Sequence, residues 1–240
     1  MILYGRNPVR EALRGRRRHA VSEIWASSGA AREPWLEGTT VRAATGEEIA
    51  ARCGSEAHQG ICAEAGAYPY VGAAELLSRP EPLLVALDQV QDPQNLGSIC
   101  RTAECAGAAG VVIPERRSAE ITPAVCKAAA GAVEHLAVAR VRNLADFLAE
   151  AGQAGCWSYG ASAEGDERRK PVPYDRPDYA GAGVVLVLGS EGGGLRPRVA
   201  ASCDELIALP LRGRIESLGV AAAAAALLYE ILQKRVDSSS

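Results

Sequence analysis

Short apolar runs alternate with amphipathic segments along most of this chain, and turn residues separate them. Such alternation is typical of a parallel sheet covered by helices, so we predict an α/β fold from residue 83 onward. The predicted strands of this region cover residues 83–87, 110–113, 136–140, 157–161, 184–188 and 205–209. Its predicted helices cover residues 96–106, 123–129, 144–154, 196–201 and 220–233.

A smaller set of elements is predicted before residue 67. Asn7 and Pro8 favour a helix start with Asn7 as the cap. The further predicted elements are helices over 9–13 and 47–52 and strands over 22–26, 40–43 and 60–64. Residues 67–82 contain glycine, prolines and a short helix-like segment over 73–77, which predicts a linker. We therefore predict an N-terminal α/β domain over 1–66 and a larger domain over 83–240.

Composition fits a globular chain and argues against several other classes. Hydrophobic residues make up 48% of the chain and charged residues 23%. No apolar run approaches the roughly 20 residues that span a bilayer, and the first residues lack the order of a signal peptide. Seven cysteines at scattered spacings predict free thiols instead of disulfides or a zinc site. We expect a cytoplasmic protein without a membrane segment and without a bound metal.

Positive charge is concentrated near the N-terminus, although the net charge of the chain is −3. Arginines accumulate within the first eighteen residues against a single acid, Glu11. Such a cluster is typical of a surface that contacts phosphates, but a solvated helix face and its loop would give the same pattern. The cluster comprises Arg6, Arg10, Arg14, Arg16, Arg17 and Arg18, of which all except Arg14 are candidate contacts.

Polar side chains directly follow the first strand of the larger predicted domain. Asp88 and Asp92 lie in the turn, Asn95 comes next, and Arg101 lies on the helix that follows. Ligands of open α/β sheets bind at the carboxyl ends of strands, which makes this turn a candidate site. An ordinary strand-to-helix turn that starts at Asp92, with Asn95 capping the helix, would explain the same residues.

A second candidate segment is the glycine-rich turn that follows the aliphatic strand 184–188. It contains Gly189, Glu191 and Gly194. Glycine allows the backbone to come close to a flat or charged ligand. No Lys-Ser/Thr pair follows, which excludes a phosphate-binding P-loop, and the spacing of a dinucleotide fingerprint is absent. A plain tight turn is the alternative.

The third segment combines a strand, a loop and an alanine-rich helix. The loop runs from Pro210 to Gly219, and six alanines follow Val220. Because the alanine side chain ends at Cβ, another backbone can pack very close to this helix. Good intrinsic helix propensity would explain the alanines equally well.

Together the three segments resemble the motifs of the SpoU (also called TrmH) family of RNA ribose 2′-O-methyltransferases, in the same order and spacing. The matching residues are Asp92, Pro93, Asn95, Gly97, Arg101 and Gly107 in the first motif, Gly189, Glu191, Gly194 and Leu195 in the second, and Pro210, Gly213, Ser217, Leu218, Val220, Tyr229 and Glu230 in the third. Segments 4–13 and 58–61 are similar to a subgroup with an added RNA-binding domain. That subgroup includes the 23S ribosomal RNA guanosine 2′-O-methyltransferase.

The resemblance implies a fold, a cofactor and partners. The C-terminal α/β domain would contain a deep trefoil knot, bind S-adenosylmethionine and form a homodimer. The N-terminal domain would resemble ribosomal protein L30e and bind RNA through its arginines. The implied catalytic residues are Arg101, Asn95, Glu191 and Ser217, and the implied cofactor-binding residues are Leu188, Gly189, Leu209 and Leu218.

Arg101 has a restricted range of roles in such a reaction. An arginine is effectively always protonated, so we expect Arg101 to clamp the neighbouring phosphate and to polarise the ribose hydroxyl. Arg101, the phosphate or a water could take the hydroxyl proton. A salt bridge to Glu104 on the same helix is the alternative interpretation of Arg101.

The chain departs from the family at one catalytic position. The family usually reads Ser-Leu-Asn-Val-Ser, whereas this chain has Gly219 in place of the asparagine and Ala221 in place of the second serine. An active methyltransferase is one hypothesis, and an RNA- and cofactor-binding protein with weak or lost turnover is another. A nucleotide-dependent oxidoreductase would need an acidic residue about twenty positions after a glycine fingerprint, and that arrangement is absent.

Overall fold

The computed structural model describes residues 1–162, 169–215 and 217–238. The strands in these ranges are β1 (Ile2–Tyr4), β2 (Val21–Ala26), β3 (Arg42–Ala43), β4 (Ile61–Ala65), β5 (Leu83–Asp88), β6 (Gly110–Pro114), β7 (Ala137–Val141), β8 (Cys156–Ala161), β9 (Val172–Pro173), β10 (Gly183–Gly189) and β11 (Glu205–Ala208). The helices are α1 (Arg6–Arg14), α2 (Gly46–Cys53), α3 (Ala73–Leu77), α4 (Pro93–Cys105), α5 (Pro123–Ala128), α6 (Leu144–Gln153), α7 (Pro197–Ser202) and α8 (Val220–Ser238).

The N-terminal residues form a four-stranded sheet in the order β1-β4-β2-β3. Strand β1 was not predicted because it has only three residues, yet its central Leu3 is fully buried opposite Ala63 of β4. Helix α1 begins after Gly5, whose φ of 93° suits glycine, and no side chain caps the helix. The prediction that Asn7 caps this helix is therefore wrong.

The larger sheet has seven strands in the order β7-β6-β5-β10-β8-β11-β9, and all of its neighbours pair in parallel. The predicted parallel α/β fold is confirmed, and each predicted strand and helix of this region is present. Among the described strands of this region, the two-residue β9 was missed. Strands β5 and β10 are central neighbours, with Asp88 paired in register with Gly189. The first two sequence motifs therefore leave the sheet side by side. The trefoil knot stays a prediction.

Helix α4 starts earlier than predicted because Asp92 is its cap. The Asp92 carboxylate accepts hydrogen bonds from the backbone N–H groups of Gln94 and Asn95, at 3.1 and 3.2 Å. Pro93 takes the first helical position, where its missing N–H costs nothing. The alternative in which Asn95 caps the helix is wrong, so the Asn95 side chain is available for another contact.

The segment between the two sheets packs on the larger one. Tyr68 is buried, and its hydroxyl oxygen lies 3.0 and 2.8 Å from the carbonyl oxygens of Val133 and Leu136, which share its single donated proton. Val71 forms a single parallel bridge with Ala139 of β7. Helix α3 is the predicted short helix of this segment. The segment 67–82 is thus ordered by contacts with the larger sheet, and the domain boundaries stay a prediction.

A buried ion pair joins the N-terminal region to the larger domain. Arg17 follows α1 and is 1% exposed, and Glu134 lies in a short turn before β7 and is fully buried. The Arg17 guanidinium donates from Nε and Nη2 to the Glu134 carboxylate and also reaches Cys126 Sγ at 3.3 Å. Burial alone would lower the pKa of Arg17, but the hydrogen bond to Glu134 holds this pKa above its ordinary value. Arg17 is therefore excluded from the predicted phosphate-contacting surface.

Two further predictions from the sequence concern membrane-spanning segments and the state of the cysteine thiols. Within the described ranges, no helix combines the length and apolarity needed to cross a membrane. All seven cysteines are free, and most of them are buried, as predicted. Burial raises the pKa of Cys100 to about 12, so its thiol stays protonated at neutral pH.

Candidate functional site

A cavity of about 670 Å³ lies at the carboxyl edge of the larger sheet. Aliphatic side chains and glycine backbone form most of its wall, as in many small-molecule sites. Five segments of the described chain contribute: the end of β8, the end of β10 with its glycine turn, one side of α7, the end of β11 with its loop, and the start of α8. The implied site residues that line the cavity are Leu188, Gly189, Leu209, Ser217 and Leu218.

The glycine turn after β10 folds back onto its own start. Ser190 and Gly194 exchange backbone hydrogen bonds of 3.2 and 2.9 Å, and a Cβ atom on Gly189 would overlap the backbone of Gly194. Only glycine fits at position 189, because the returning chain occupies the space of a side chain. The turn therefore presents bare backbone to the cavity.

Asp88 holds the C-terminal end of the glycine turn that follows β10. Its carboxylate is fully buried at the end of β5 and accepts three contacts from Arg196, which immediately precedes α7. The distances are 2.8 Å from the Arg196 backbone N, 2.8 Å from Nε and 2.7 Å from Nη2. The guanidinium meets Oδ1 and the backbone N–H donates to Oδ2, so both carboxylate oxygens have charged or polar partners from one residue. Asp88, one of the two carboxylates that follow the first strand of the larger domain, thus holds the turn of the second motif in place.

Asn95 and Glu191 connect the first two motifs directly. Asn95 Nδ2 donates to Glu191 Oε1 at 2.6 Å, across a sequence separation of 96 residues. The third motif approaches the same carboxylate, because a Cβ atom built on Gly219 would lie 4.0 Å from Glu191 Oε1. Gly219 has a φ of 77°, and its N–H donates to Ser217 Oγ at 3.1 Å. The three motifs therefore meet at Glu191.

Arg101 lies on α4, and its side chain is exposed. Asn95, Ser98 and Arg101 follow one another at three-residue spacing, which places neighbouring members on adjacent positions of the helix surface. Within the described part of the chain, Arg101 forms no hydrogen bond or ion pair, so the alternative pairing with Glu104 is not formed. Arg101 does not line the cavity, and the structure leaves its guanidinium open to an external partner.

The remaining arginines of the N-terminal cluster lie at or near the surface. Arg6 pairs with Glu33 at 2.7 Å, and Arg10 pairs with Glu11 at 2.6 Å. Burial would raise the pKa of Glu11, but hydrogen bonds from His135 and Arg10 outweigh it and hold this pKa below its usual range. Arg16 and Arg18 are exposed. Sequence reasoning missed Trp35, which lines a second hollow together with residues of this cluster.

The described residues contain no group of three or more histidine, cysteine, aspartate or glutamate side chains that could hold a metal ion. The cavity wall instead offers backbone groups, a serine hydroxyl and aliphatic surface. These groups suit an organic ligand with a flat ring and a polar tail.

The parallel sheet and its edge cavity define an α/β domain that binds a small molecule where the strands end. Comparison with known families is more specific. The sequence model of the SpoU rRNA Methylase family matches residues 82–229. A second model, described as RNA 2′-O ribose methyltransferase substrate binding, matches residues 2–71. The chain belongs to the SpoU rRNA methylase family, as the three motifs predicted.

Individual relatives agree with this assignment. The putative TrmH family tRNA/rRNA methyltransferase YacO of Bacillus subtilis is 42% identical over 183 residues, which cover 74% of this chain and 71% of the relative. The 23S rRNA (guanosine-2′-O-)-methyltransferase RlmB of Pseudomonas syringae is 40% identical over the same length, with the same coverage. The AdoMet-bound rRNA methyltransferase of Sinorhizobium meliloti matches with a TM-score of 0.80 and 26% identity, covering 97% of this chain and 86% of that chain.

Proposed function

We propose that this RNA methyltransferase transfers a methyl group from S-adenosylmethionine to a ribose 2′-oxygen of structured RNA, with a guanosine of 23S ribosomal RNA as its target. The observation that carries this proposal is the convergence of the three motifs on Glu191 beside a backbone-lined cavity. The relative RlmB, which is named for 2′-O-methylation of a guanosine in 23S rRNA, supports the choice of 23S ribosomal RNA.

The cavity fits S-adenosylmethionine in size and chemistry. Its volume of about 670 Å³ lies within the range of small-molecule sites. Leu188, Leu209 and Leu218 would contact the adenine and the methionine chain, and the bare backbone at Gly189 would accept close approach. When bound, S-adenosylmethionine supplies an electrophilic methyl group that the ribose 2′-oxygen displaces from sulfur.

The residues around the cavity then have separable roles. Arg101 would clamp the phosphate next to the target ribose and polarise the 2′-hydroxyl, because its exposed guanidinium has no protein partner within the described ranges. Asn95 and Glu191 would hold the first two motifs together through their hydrogen bond. Ser217, on the cavity wall, would donate a hydrogen bond near the reacting centre.

A homodimer through the C-terminal domain and a cytoplasmic location belong to the same proposal. The loop before α8 exposes Ile215 by 77% and Leu218 by 53%, and Tyr229 on α8 is 52% exposed. Large apolar side chains with this much exposed surface favour burial against another molecule. Free cysteines fit a reducing compartment.

The target is tested by mapping ribose methylation in ribosomal and transfer RNA from cells with and without this gene. We expect mass spectrometry to show one 2′-O-methylated guanosine in 23S ribosomal RNA that disappears without the gene and returns with it. If a ribose methyl group disappears from transfer RNA instead, the proposed reaction stands, but 23S ribosomal RNA is not its target. An unchanged methylation map would overturn the proposed function.

Gly219 is the observation that favours the second candidate, a binding protein with weak or lost turnover. Asparagine tolerates the positive φ at position 219 better than most residues, and the surrounding space is open. We expect Gly219→Asn to raise the methyl-transfer rate about tenfold, the effect of one added hydrogen bond of about 1.4 kcal/mol. Gly219→Ala is the matched control, with a similar backbone constraint and no polar group, and should bring no gain.

The wild-type rate in the same assay separates the two candidates. Measurable transfer by the wild-type protein supports the enzyme. Transfer that appears only in Gly219→Asn, with unchanged S-adenosylmethionine binding in both proteins, supports the binding protein. Equal rates in the wild-type protein and both variants would show that position 219 does not limit turnover.

A further inference from the structure

A second hollow of about 480 Å³ lies on the N-terminal region, apart from the proposed methyl-donor site. We call it the arginine pocket. Its lining residues are Arg10, Leu13, Arg14, Arg18, Trp35 and Thr39. The lining combines three guanidinium groups with one aromatic ring, and this combination can recognise a phosphate and a base together.

The charge in the arginine pocket is only partly neutralised. Arg10 donates from Nε to Glu11 at 2.6 Å, and Arg14 lies 3.8 Å from the same carboxylate. Glu11 is 14% exposed and also contacts His135. Within the described ranges, the Arg18 side chain has no hydrogen bond or ion pair. Glu11 thus neutralises only part of the charge of Arg10 and Arg14, and Glu33 at the edge of the pocket already pairs with Arg6, so the pocket keeps an excess of positive charge that attracts an anion.

Trp35 is held in a fixed orientation at this pocket. Its indole N–H donates to Glu33 Oε2 at 3.1 Å, and the other oxygen of Glu33 pairs with Arg6 at 2.7 Å. The indole is half-buried, and part of it packs against the apolar core. Since its only donor is already occupied, Trp35 offers the pocket ring surface and no hydrogen bond. Ring surface is what an unpaired base requires for stacking.

We propose that the arginine pocket is a subsite for one unpaired RNA nucleotide other than the methylated one. Its base would stack on Trp35, and its phosphates would be bound by Arg10, Arg14 and Arg18. This inference rests on the proposed function, because it assumes an RNA substrate. It goes further by assigning a base-stacking residue and by adding Arg14 to the phosphate contacts.

The test compares two probes with the same backbone charge. One is a fluorescently labelled octamer of adenylate RNA, and the other is an octamer of abasic ribose phosphates. We expect the wild-type protein to bind the adenylate octamer about tenfold more tightly, as expected for one base stacked on an aromatic ring. Trp35→Leu should abolish this preference. Trp35→Phe, which also loses the N–H bond to Glu33 but keeps an aromatic ring, should retain it.

The contribution of the arginines to RNA affinity is tested separately, by removing their charges and measuring how affinity depends on salt. Arg14→Gln and Arg18→Gln should weaken both octamers by a similar factor, and each should reduce the slope of log affinity against log salt by about 0.7. Equal binding of the two octamers to the wild-type protein would reduce the pocket to an anion site and overturn the proposal. A preference that survives Trp35→Leu would also overturn it, by placing the stacking elsewhere. None of these results depends on methyl transfer, so failure here is distinguishable from failure of the proposed function.

Discussion

Replacing Arg101 with glutamine should lower the rate of methyl transfer about a hundredfold, while S-adenosylmethionine binding stays within about twofold of the wild-type value. A preorganised charged donor at a reacting group typically contributes a factor of that size. Arg101 is exposed, lies outside the cavity wall and forms no hydrogen bond or ion pair within the described ranges. Its loss should therefore change the free energy of unfolding by no more than about 0.5 kcal/mol.

Two further variants make the Arg101 result specific. Arg101→Lys keeps the charge but loses the planar fork, so we expect it to recover only part of the rate. Glu104→Gln removes the carboxylate of the rejected pairing and should leave the rate unchanged. Normal methyl transfer by Arg101→Gln would contradict the assigned role. Equal losses of methyl-transfer rate in Arg101→Gln and Glu104→Gln would instead support a salt bridge between Arg101 and Glu104.

Replacing Arg17 with methionine should destabilise the protein by about 3–5 kcal/mol in urea unfolding. This is the usual effect of removing one partner of a buried ion pair, because the other charge is left uncompensated. The uncompensated charge would be the carboxylate of Glu134, which is fully buried. Glu134→Gln should also lower the free energy of unfolding, because it leaves the buried guanidinium of Arg17 without a compensating charge.

Arg16→Met is the matched control for Arg17, since Arg16 is its exposed neighbour. We expect a change in unfolding free energy within about 0.5 kcal/mol. A stability loss confined to Arg17 and Glu134 supports the ion pair as the contact that fixes the N-terminal region against the larger domain. A neutral Arg17→Met variant would contradict the buried pair. RNA-binding experiments should therefore change Arg16 and Arg18 without Arg17, whose loss would confuse binding with unfolding.

The sequence predicts the larger sheet well because each buried parallel strand is a short aliphatic run between turn residues. It also predicts that the first two motifs lie at one edge, since the carboxyl ends of parallel strands share it. The sequence does not show that β5 and β10 are neighbours, which is what allows Asn95 to reach Glu191. A contact between residues so far apart in the chain depends on strand order.

Arg17 and Trp35 show the limit of local patterns. Arg16, Arg17 and Arg18 are identical in type, yet only Arg17 is buried, because its partner lies 117 residues away. Trp35 belongs to a short 3₁₀ turn without hydrophobic periodicity, so only the folded chain places it next to the arginines of α1. The position of the helix α4 cap was similarly ambiguous, since Asp92 and Asn95 both favour helix starts.

The position of the transferred methyl group distinguishes methylation of a ribose 2′-oxygen from methylation of a base. Purified protein would be incubated with labelled S-adenosylmethionine and with ribosomal RNA from cells that lack the gene, and the RNA would then be hydrolysed in alkali. A methyl group on a ribose 2′-oxygen blocks cleavage of the adjacent phosphodiester, so we expect label in alkali-resistant dinucleotides. Label recovered in mononucleotides would place the methyl group on a base and contradict 2′-O-methylation. RNA that takes up no label would also contradict it.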